Sequence, residues 1–151
     1  MSQSAPPDVP SPGHTPVPVV GVICFRGDEV LLIRRGRPPR LGEWSIPGGR
    51  VEWGEGVRET ALRELFEETG VRAELVALVD VVDGHFPEAG RHYVMIDYVA
   101  RWRSGEPVAG DDASDAAFVT LAEAMERVAW PATRQVIRDG ARMMGLNMSA
   151  T

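Results

Sequence analysis

One amphipathic helix at the centre of the chain, with strand-like segments on both sides, constrains the fold more than any other feature. Between residues 55 and 69, apolar residues recur at the three- and four-residue spacing of a helix face. Gly70 follows where a helix commonly ends in the left-handed conformation. The apolar positions of this predicted helix are Val57, Ala61, Leu62, Leu65 and Phe66.

The segments around this helix have the β-branched composition of strands. The sequence predicts strands at 17–25, 29–34, 44–46, 71–83, 91–102 and 116–119, and loops at 36–43 and 84–90. Two further helices are predicted at 121–128 and 131–144, where Pro131 suits a first helical turn. This order indicates a mixed β-sheet with helices packed on it, in the α/β or α+β class.

The overall composition excludes several classes of protein. Acidic residues outnumber basic residues by 22 to 16, so the net charge of −6 offers no global positive field for a nucleic acid polymer. No apolar run approaches the roughly 20 residues that span a bilayer. Cys24 is the only cysteine and lies in an apolar stretch, which predicts a buried thiol and a reducing compartment.

The first 16 residues differ in composition from the rest of the chain. They contain five prolines and lack the basic start and the apolar core of a secretory signal. We therefore expect a flexible tail at residues 1–16, one domain at 17–146, a short tail at 147–151 and a cytoplasmic location.

Three carboxylates lie close together on the predicted central helix. A period of 3.6 residues places Glu64, Glu67 and Glu68 within an arc of roughly 100°. Like charges at this spacing destabilise a helix by roughly 0.2–0.5 kcal/mol per pair. A solvated acidic face is the simplest explanation of such a cluster. The glycines just before the helix favour a second explanation, a functional site. Flexible backbone beside carboxylates can bind a hard divalent cation and a phosphate.

The spacing of these residues resembles a known family signature. Gly49, five residues, Glu55, seven residues and then the run Arg63-Glu64-Leu65-Phe66-Glu67-Glu68-Thr69-Gly70-Val71 are similar to the complete Nudix box. The resemblance continues upstream through residues 42–48 and covers roughly residues 17–144.

The resemblance implies a fold, a reaction and a metal. Nudix domains are α/β/α sandwiches around a central mixed β-sheet, and they hydrolyse nucleoside diphosphates linked to another moiety. Carried over by position, the resemblance implies that Glu64, Glu67 and Glu68 bind Mg²⁺, with Mn²⁺ as a substitute. The carbonyl of Gly49 would add a backbone ligand. Many small relatives are dimers, so a homodimer is allowed, although the sequence does not determine the oligomeric state.

The remaining assignments are the role of Arg63 and the identity of the general base. Arg63 can pair with Glu59 and Glu67, four residues away on either side, and so hold a metal-binding glutamate in position. The general base is either Glu64 or an acidic residue of the loop 110–115, where we favour Asp112, with Asp111 and Asp115 as alternatives. An ordinary solvated turn explains that acidic loop equally well.

Substrate contacts are expected in the loop before the box. Arg34, Arg35, Arg37 and Arg40 cluster there and can bind phosphate, or they can simply be solvated charges. Trp44 can stack on a nucleobase or pack under the box. His85 and His92 flank the predicted loop 84–90, where ordinary surface histidines are the simpler interpretation.

Three functions are compatible with this signature. The short chain, the Val51-Glu52-Trp53-Gly54-Glu55 run and the acidic loop are similar to small ADP-ribose pyrophosphatase-like members, which favours ADP-ribose. A nucleoside triphosphate pyrophosphohydrolase that cleans the nucleotide pool is the nearest alternative. A ligand-sensing module without turnover is the third, although the sequence retains every glutamate of the box.

Overall fold

The central helix and its flanking strands are present in the computed structural model, which describes residues 14–38, 40–110 and 112–146. A short 3₁₀ turn at Pro87–Ala89 links two of the strands. In chain order the elements are β1 (Val17–Arg26), β2 (Glu29–Arg35), β3 (Trp44–Ser45), β4 (Gly48–Arg50), α1 (Val57–Thr69), β5 (Arg72–Phe86), β6 (Arg91–Ser104), β7 (Ala113–Thr120), α2 (Leu121–Arg127) and α3 (Pro131–Met143).

The strands form one mixed sheet in the order β3-β2-β1-β6-β5, with β4 paired to β1 and β7 paired to β2. β1 and β6 run parallel, from Val17 opposite Tyr93 to Phe25 opposite Arg101. The pairs β1–β2, β1–β4, β2–β3, β2–β7 and β5–β6 are antiparallel. The predicted mixed sheet is confirmed.

Helices cover both faces of the sheet, and the alternation of side chains along β1 divides the core between them. Ile23 and Phe25 pack with residues of α2 and α3, whereas Val22 and Cys24 pack with residues of α1. This arrangement confirms the α/β/α sandwich. Cys24 is fully buried, and burial raises the pKa of its thiol to about 12, which agrees with an inert side chain.

Two predicted elements differ from the observed ones. The loop predicted at 84–90 is shorter, because β5 continues to Phe86 and pairs His85 directly with His92 on β6. The segment after Pro47, predicted to end a strand, forms β4 against β1. Gly48 allows this pairing, since a side chain at that position would meet the backbone of β1.

The central helix buries only part of its predicted apolar face. Leu62 and Phe66 are more than two-fifths exposed, and the guanidinium of Arg72 covers the Phe66 ring at 4.3 Å. Ala61 and Leu65 are buried as predicted, and the carboxylate-bearing Glu68 is buried beside them. The helix therefore turns one of its glutamates inward.

Parts of the two predicted tails, residues 1–13 and 147–151, lie outside the described residues, as do Pro39 and Asp111. Within the described part of the chain, no helix is both long enough and apolar enough to cross a membrane.

Candidate active site

A cleft of about 740 Å³ brings together residues that are distant in the sequence. Its walls come from the loop after β2, from β3 and β4, from α1, from β5 and β6, and from the start of α3. Of the residues singled out in the sequence, Arg35, Arg37, Arg40, Trp44, Gly49, Glu64, Glu68 and Asp112 line this cleft.

Two box glutamates hold their carboxylates against the glycines of β4. The amide of Gly48 donates a hydrogen bond to Glu68 Oε1 at 2.7 Å. The carboxylate of Glu64 fills the space in which a side chain at Gly49 would stand. The two glycines therefore allow the helix to approach the strand with its charged side chains inward.

The carboxyl group of Glu68 lies in surroundings that disfavour its charged form. It is 6% exposed, and burial raises the pKa of its carboxyl to about 7. The charges of Glu64 and Asp112 raise this pKa further, while the amide of Gly48 and the charge of Arg35 lower it. A cation at this point of the cleft would lower this pKa, because it favours the charged form of the carboxyl.

Arg63 organises the other acidic residues of the box. Its Nε donates to Glu55 Oε2 at 2.7 Å, and its Nη1 donates to Glu64 Oε1 at 2.8 Å and to Glu67 Oε1 at 3.0 Å. The hydrogen bond from Arg63 holds the pKa of Glu55 at about 2. The predicted pairing of Arg63 with Glu59 is wrong, because Glu59 accepts the amide of Gly56 at the start of α1 instead.

Of the three clustered glutamates of α1, Glu64 and Glu68 line the cleft and Glu67 does not. Its side chain is about one-third exposed, is held by Arg63, and is not among the described residues that line the cleft. Within residues 14–38, 40–110 and 112–146, no three acidic, histidine or cysteine side chains converge tightly enough to chelate an ion. Metal binding by Glu67 stays a prediction, and it requires this side chain to leave Arg63.

Some of the loop arginines line the cleft, and one of them bonds the backbone of the loop. Arg37 pairs with Asp112 at 2.8 Å, and Arg40 pairs with Glu43 at 2.9 Å. Arg34 instead donates its Nε to the carbonyl of Gly42 at 2.9 Å and does not appear among the described cleft residues. Its substrate contact therefore stays a prediction without geometric support.

A group of aromatic side chains in the cleft was missed by the sequence analysis. Phe86 lies 5.7 Å from the Trp130 ring and 6.1 Å from the Tyr93 ring, and the guanidinium of Arg40 covers Trp130 at 5.5 Å. We call Phe86, Tyr93 and Trp130 the aromatic group. Trp44 lies elsewhere in the cleft wall, with the guanidinium of Arg127 over its ring at 4.9 Å.

Asp97 is the second buried acid of the cleft and was also missed. It is 5% exposed on β6, and burial raises the pKa of its carboxyl to about 7, with a further contribution from the charge of Asp80. The sequence feature that could have indicated this site is an acidic residue in the middle of the apolar stretch 94–100.

The raised pKa of Asp97 predicts a pH-dependent stability. The folded state binds this proton more tightly than the unfolded state, so the free energy of unfolding falls as the pH rises from about 4 to about 7. Asp97→Asn should therefore stabilise the protein by roughly 1–3 kcal/mol at pH 8, with a gain that shrinks towards pH 4. Urea unfolding at several pH values measures this, and the exposed Asp80→Asn should gain far less. An equal gain for Asp97→Asn at all pH values would contradict the assignment.

Comparison with known proteins agrees with this geometry. The family model described as NUDIX domain matches residues 15–140. An ADP-ribose pyrophosphatase of Methanocaldococcus jannaschii is 37% identical over 72% of this chain, and the match covers 63% of that protein's length. A putative 8-oxo-dGTP diphosphatase 2 of Mycobacterium tuberculosis is 38% identical over 83% of this chain and 89% of its own length.

The fold also matches that of a solved structure. The crystal structure of a MutT NUDIX hydrolase from Burkholderia pseudomallei superimposes with a TM-score of 0.72 at 32% identity, covering 83% of this chain and 98% of that one. The matched region contains the glycines of β4, the glutamates of α1 and all but the last residues of α3. The chain therefore belongs to the Nudix family.

Proposed function

We propose that this protein is a divalent-metal-dependent pyrophosphohydrolase that cleaves a nucleoside diphosphate linked to another moiety, with ADP-ribose as the favoured substrate. The observation that carries the proposal is the pair Glu64 and Glu68, held against Gly48 and Gly49 in the wall of a cleft that also contains an aromatic group. The similarity to an ADP-ribose pyrophosphatase supports the choice of substrate.

The shape and chemistry of the cleft fit a nucleotide. Asp97 on β6 pairs with Gly21 of β1, which in turn pairs with Gly48, so this level of the sheet lies beside the box. Tyr93 comes four residues before Asp97 on β6, which separates the two residues by roughly 13 Å at the usual rise of a strand. The aromatic group can therefore stack on a base while the diphosphate lies at the box, near Arg35 and Arg37.

The residues at the box fit Mg²⁺, with Mn²⁺ as a substitute. Glu64, Glu68 and the carbonyl of Gly49 offer oxygen atoms alone, and the charges of Glu64 and Asp112 act on the buried Glu68 carboxyl in the direction that a cation would oppose. Glu67 would join them after release from Arg63. When bound, the cation supplies the positive charge that neutralises a diphosphate and makes water more acidic.

The protein's own side chains would then position the substrate and accept a proton. Arg35 and Arg37 can hold phosphate oxygens in place for in-line attack by water. Glu64 and Asp112 both line the cleft and are the two candidates for the base that accepts the proton of that water. Arg63 would keep the Glu64 carboxylate oriented through its 2.8 Å hydrogen bond.

The choice of base predicts a change in pH dependence. If Asp112 is the base, Asp112→Asn should flatten one limb of the profile of kcat against pH and lower kcat by roughly 100-fold or more. Arg37→Gln is the matched control, because it breaks the same ion pair without removing the acid. A profile that keeps both limbs in Asp112→Asn would assign the role to Glu64.

A nucleoside triphosphate pyrophosphohydrolase is the second candidate, favoured by the similarity to a putative 8-oxo-dGTP diphosphatase. The two candidates and the ligand sensor are separated by one experiment, in which phosphate products are measured with Mg²⁺ over ADP-ribose, nucleotide sugars, and normal and oxidised nucleoside triphosphates. We expect ADP-ribose to have the highest kcat/KM. Binding without turnover of any substrate would identify a sensor.

The proposal extends to the organisation of the protein. We place the catalytic domain at residues 17–146 with tails at 1–16 and 147–151, in the cytoplasm, and allow a homodimer. The buried Cys24 suits a reducing compartment. Light scattering of the purified protein would determine the oligomeric state.

A further inference from the structure

The carboxylate of Asp97 is a buried acidic group of the cleft that the proposed mechanism does not use. Its residue is 5% exposed, and no hydrogen bond or ion pair to it is found among the described residues, so its carboxylate oxygens have only the space of the cleft to face. A carboxylate that has no protein partner and reaches solvent only through the cleft suits a partner that arrives with a ligand, because a ligand that covers it without a hydrogen bond leaves it unpaired.

The neighbours of Asp97 restrict the chemistry of that partner. The carboxylate lies against Gly21, and a side chain at Gly21 would also meet Ile46. Ile46 and Met95, which line the same cleft, offer no positive charge or second metal ligand. A lone carboxylate repels phosphate and accepts hydrogen bonds, so its partner is a neutral group with an O–H or N–H donor.

The position of Asp97 along β6 selects the part of the substrate. Tyr93, Met95 and Asp97 alternate along one strand and all line the cleft. Tyr93 belongs to the aromatic group, whereas Asp97 is level with Gly21 and Gly48 beside the box. Between a stacked base and a diphosphate, the donor groups of a nucleotide are the hydroxyls of its ribose.

We propose that Asp97 determines specificity for the sugar, by accepting a hydrogen bond from a hydroxyl of the ribose that joins the base to the diphosphate. This inference rests on the proposed function, because it assumes that a nucleotide occupies the cleft in this direction. A bound substrate that lacks the hydroxyl would cover the carboxylate without pairing it, so the protein discriminates against deoxynucleotides.

The test compares ADP-ribose with its analogues in which the adenosine ribose is 2′-deoxy or 3′-deoxy. The wild type should prefer ADP-ribose to at least one analogue by about 10-fold or more, both in kcat/KM with Mg²⁺ and in Kd measured by calorimetry. Asp97→Leu, of similar size, should remove this preference, and Asp97→Asn, which keeps an acceptor without the charge, should reduce it.

The controls separate recognition from loss of structure. Asp80→Asn removes the same charge from the exposed residue paired with Asp97 on β5, and it should retain the wild-type preference. If Asp97→Leu does not fold, as judged by circular dichroism, the change in preference of Asp97→Asn decides the test. Unchanged preference in the folded Asp97 variants, or no preference in the wild type, would overturn the inference.

The binding measurement also separates this inference from the proposed function. A wild type that binds the nucleotides without hydrolysing them contradicts the proposed enzyme and still reports the effect of Asp97 on Kd. A wild type that binds neither ADP-ribose nor its analogues contradicts both proposals.

Discussion

The Glu68→Gln variant is expected to lose roughly 100-fold or more in kcat while remaining folded. Glutamine keeps the length of the side chain, and its carbonyl oxygen can still accept the amide of Gly48. It lacks the negative charge that we assign to metal binding, so the stabilisation of a charged transition state should fall. Steady-state kinetics with ADP-ribose over a range of Mg²⁺ concentrations measures both kcat and the metal requirement.

The same variant should be at least as stable as the wild type in the absence of metal. Burial disfavours the charge of Glu68, and the substitution removes that charge together with its repulsion from Glu64. Thermal unfolding in a chelator measures this effect. Glu126→Gln, an exposed substitution on α2, is the matched control and should change neither property. Wild-type turnover in Glu68→Gln would count decisively against the proposed metal site.

The sequence predicted the box because its geometry is local. A helix fixes the relation between Glu64 and Glu68 through a period of 3.6 residues, and the glycines that receive them come just before the same helix. The like-charge cluster predicted from this spacing is also present, and the charge of Glu64 adds to burial, the larger cause, in raising the pKa of Glu68 to about 7. No knowledge of the sheet was needed for this part of the site.

The substrate end of the cleft depends on contacts between distant segments. Tyr93 and Asp97 reach the cleft because β6 runs parallel to β1, and Phe86 joins them because the β5–β6 hairpin continues beyond the predicted loop. Trp130 arrives from the start of α3. The register of distant strands is not specified by local periodicity, so this end could not be assembled from sequence alone.

The adjacent residues Arg34 and Arg35 also show that the sequence does not determine which side chains reach the cleft. Successive side chains of a strand point to opposite faces, so Arg34 and Arg35 at the end of β2 have different environments. Arg35 lines the cleft, whereas Arg34 bonds the carbonyl of Gly42. The sequence located a cationic segment correctly but could not decide which of its members faces a ligand.

The two glycines of β4 should respond in opposite ways to the same substitution. At Gly49, an added methyl group would meet the carboxylate of Glu64, which is the flexible end of a side chain. At Gly48, it would meet the backbone of Val20 and would lie 3.0 Å from the Cα of Gly21, neither of which can move without shifting β1. Gly49→Ala should therefore displace the carboxylate of Glu64, whereas Gly48→Ala should strain the sheet.

We expect Gly49→Ala to lower kcat by roughly 100-fold with little change in the free energy of unfolding, because the rest of the fold accommodates the methyl group. Gly48→Ala should lower the free energy of unfolding by about 1–3 kcal/mol or more. Urea unfolding and steady-state kinetics on both variants measure these effects, and each variant is the control for the other. If both lost stability equally, Glu64 would not be the group that limits the space at Gly49, and its place in the proposed site would have to be abandoned.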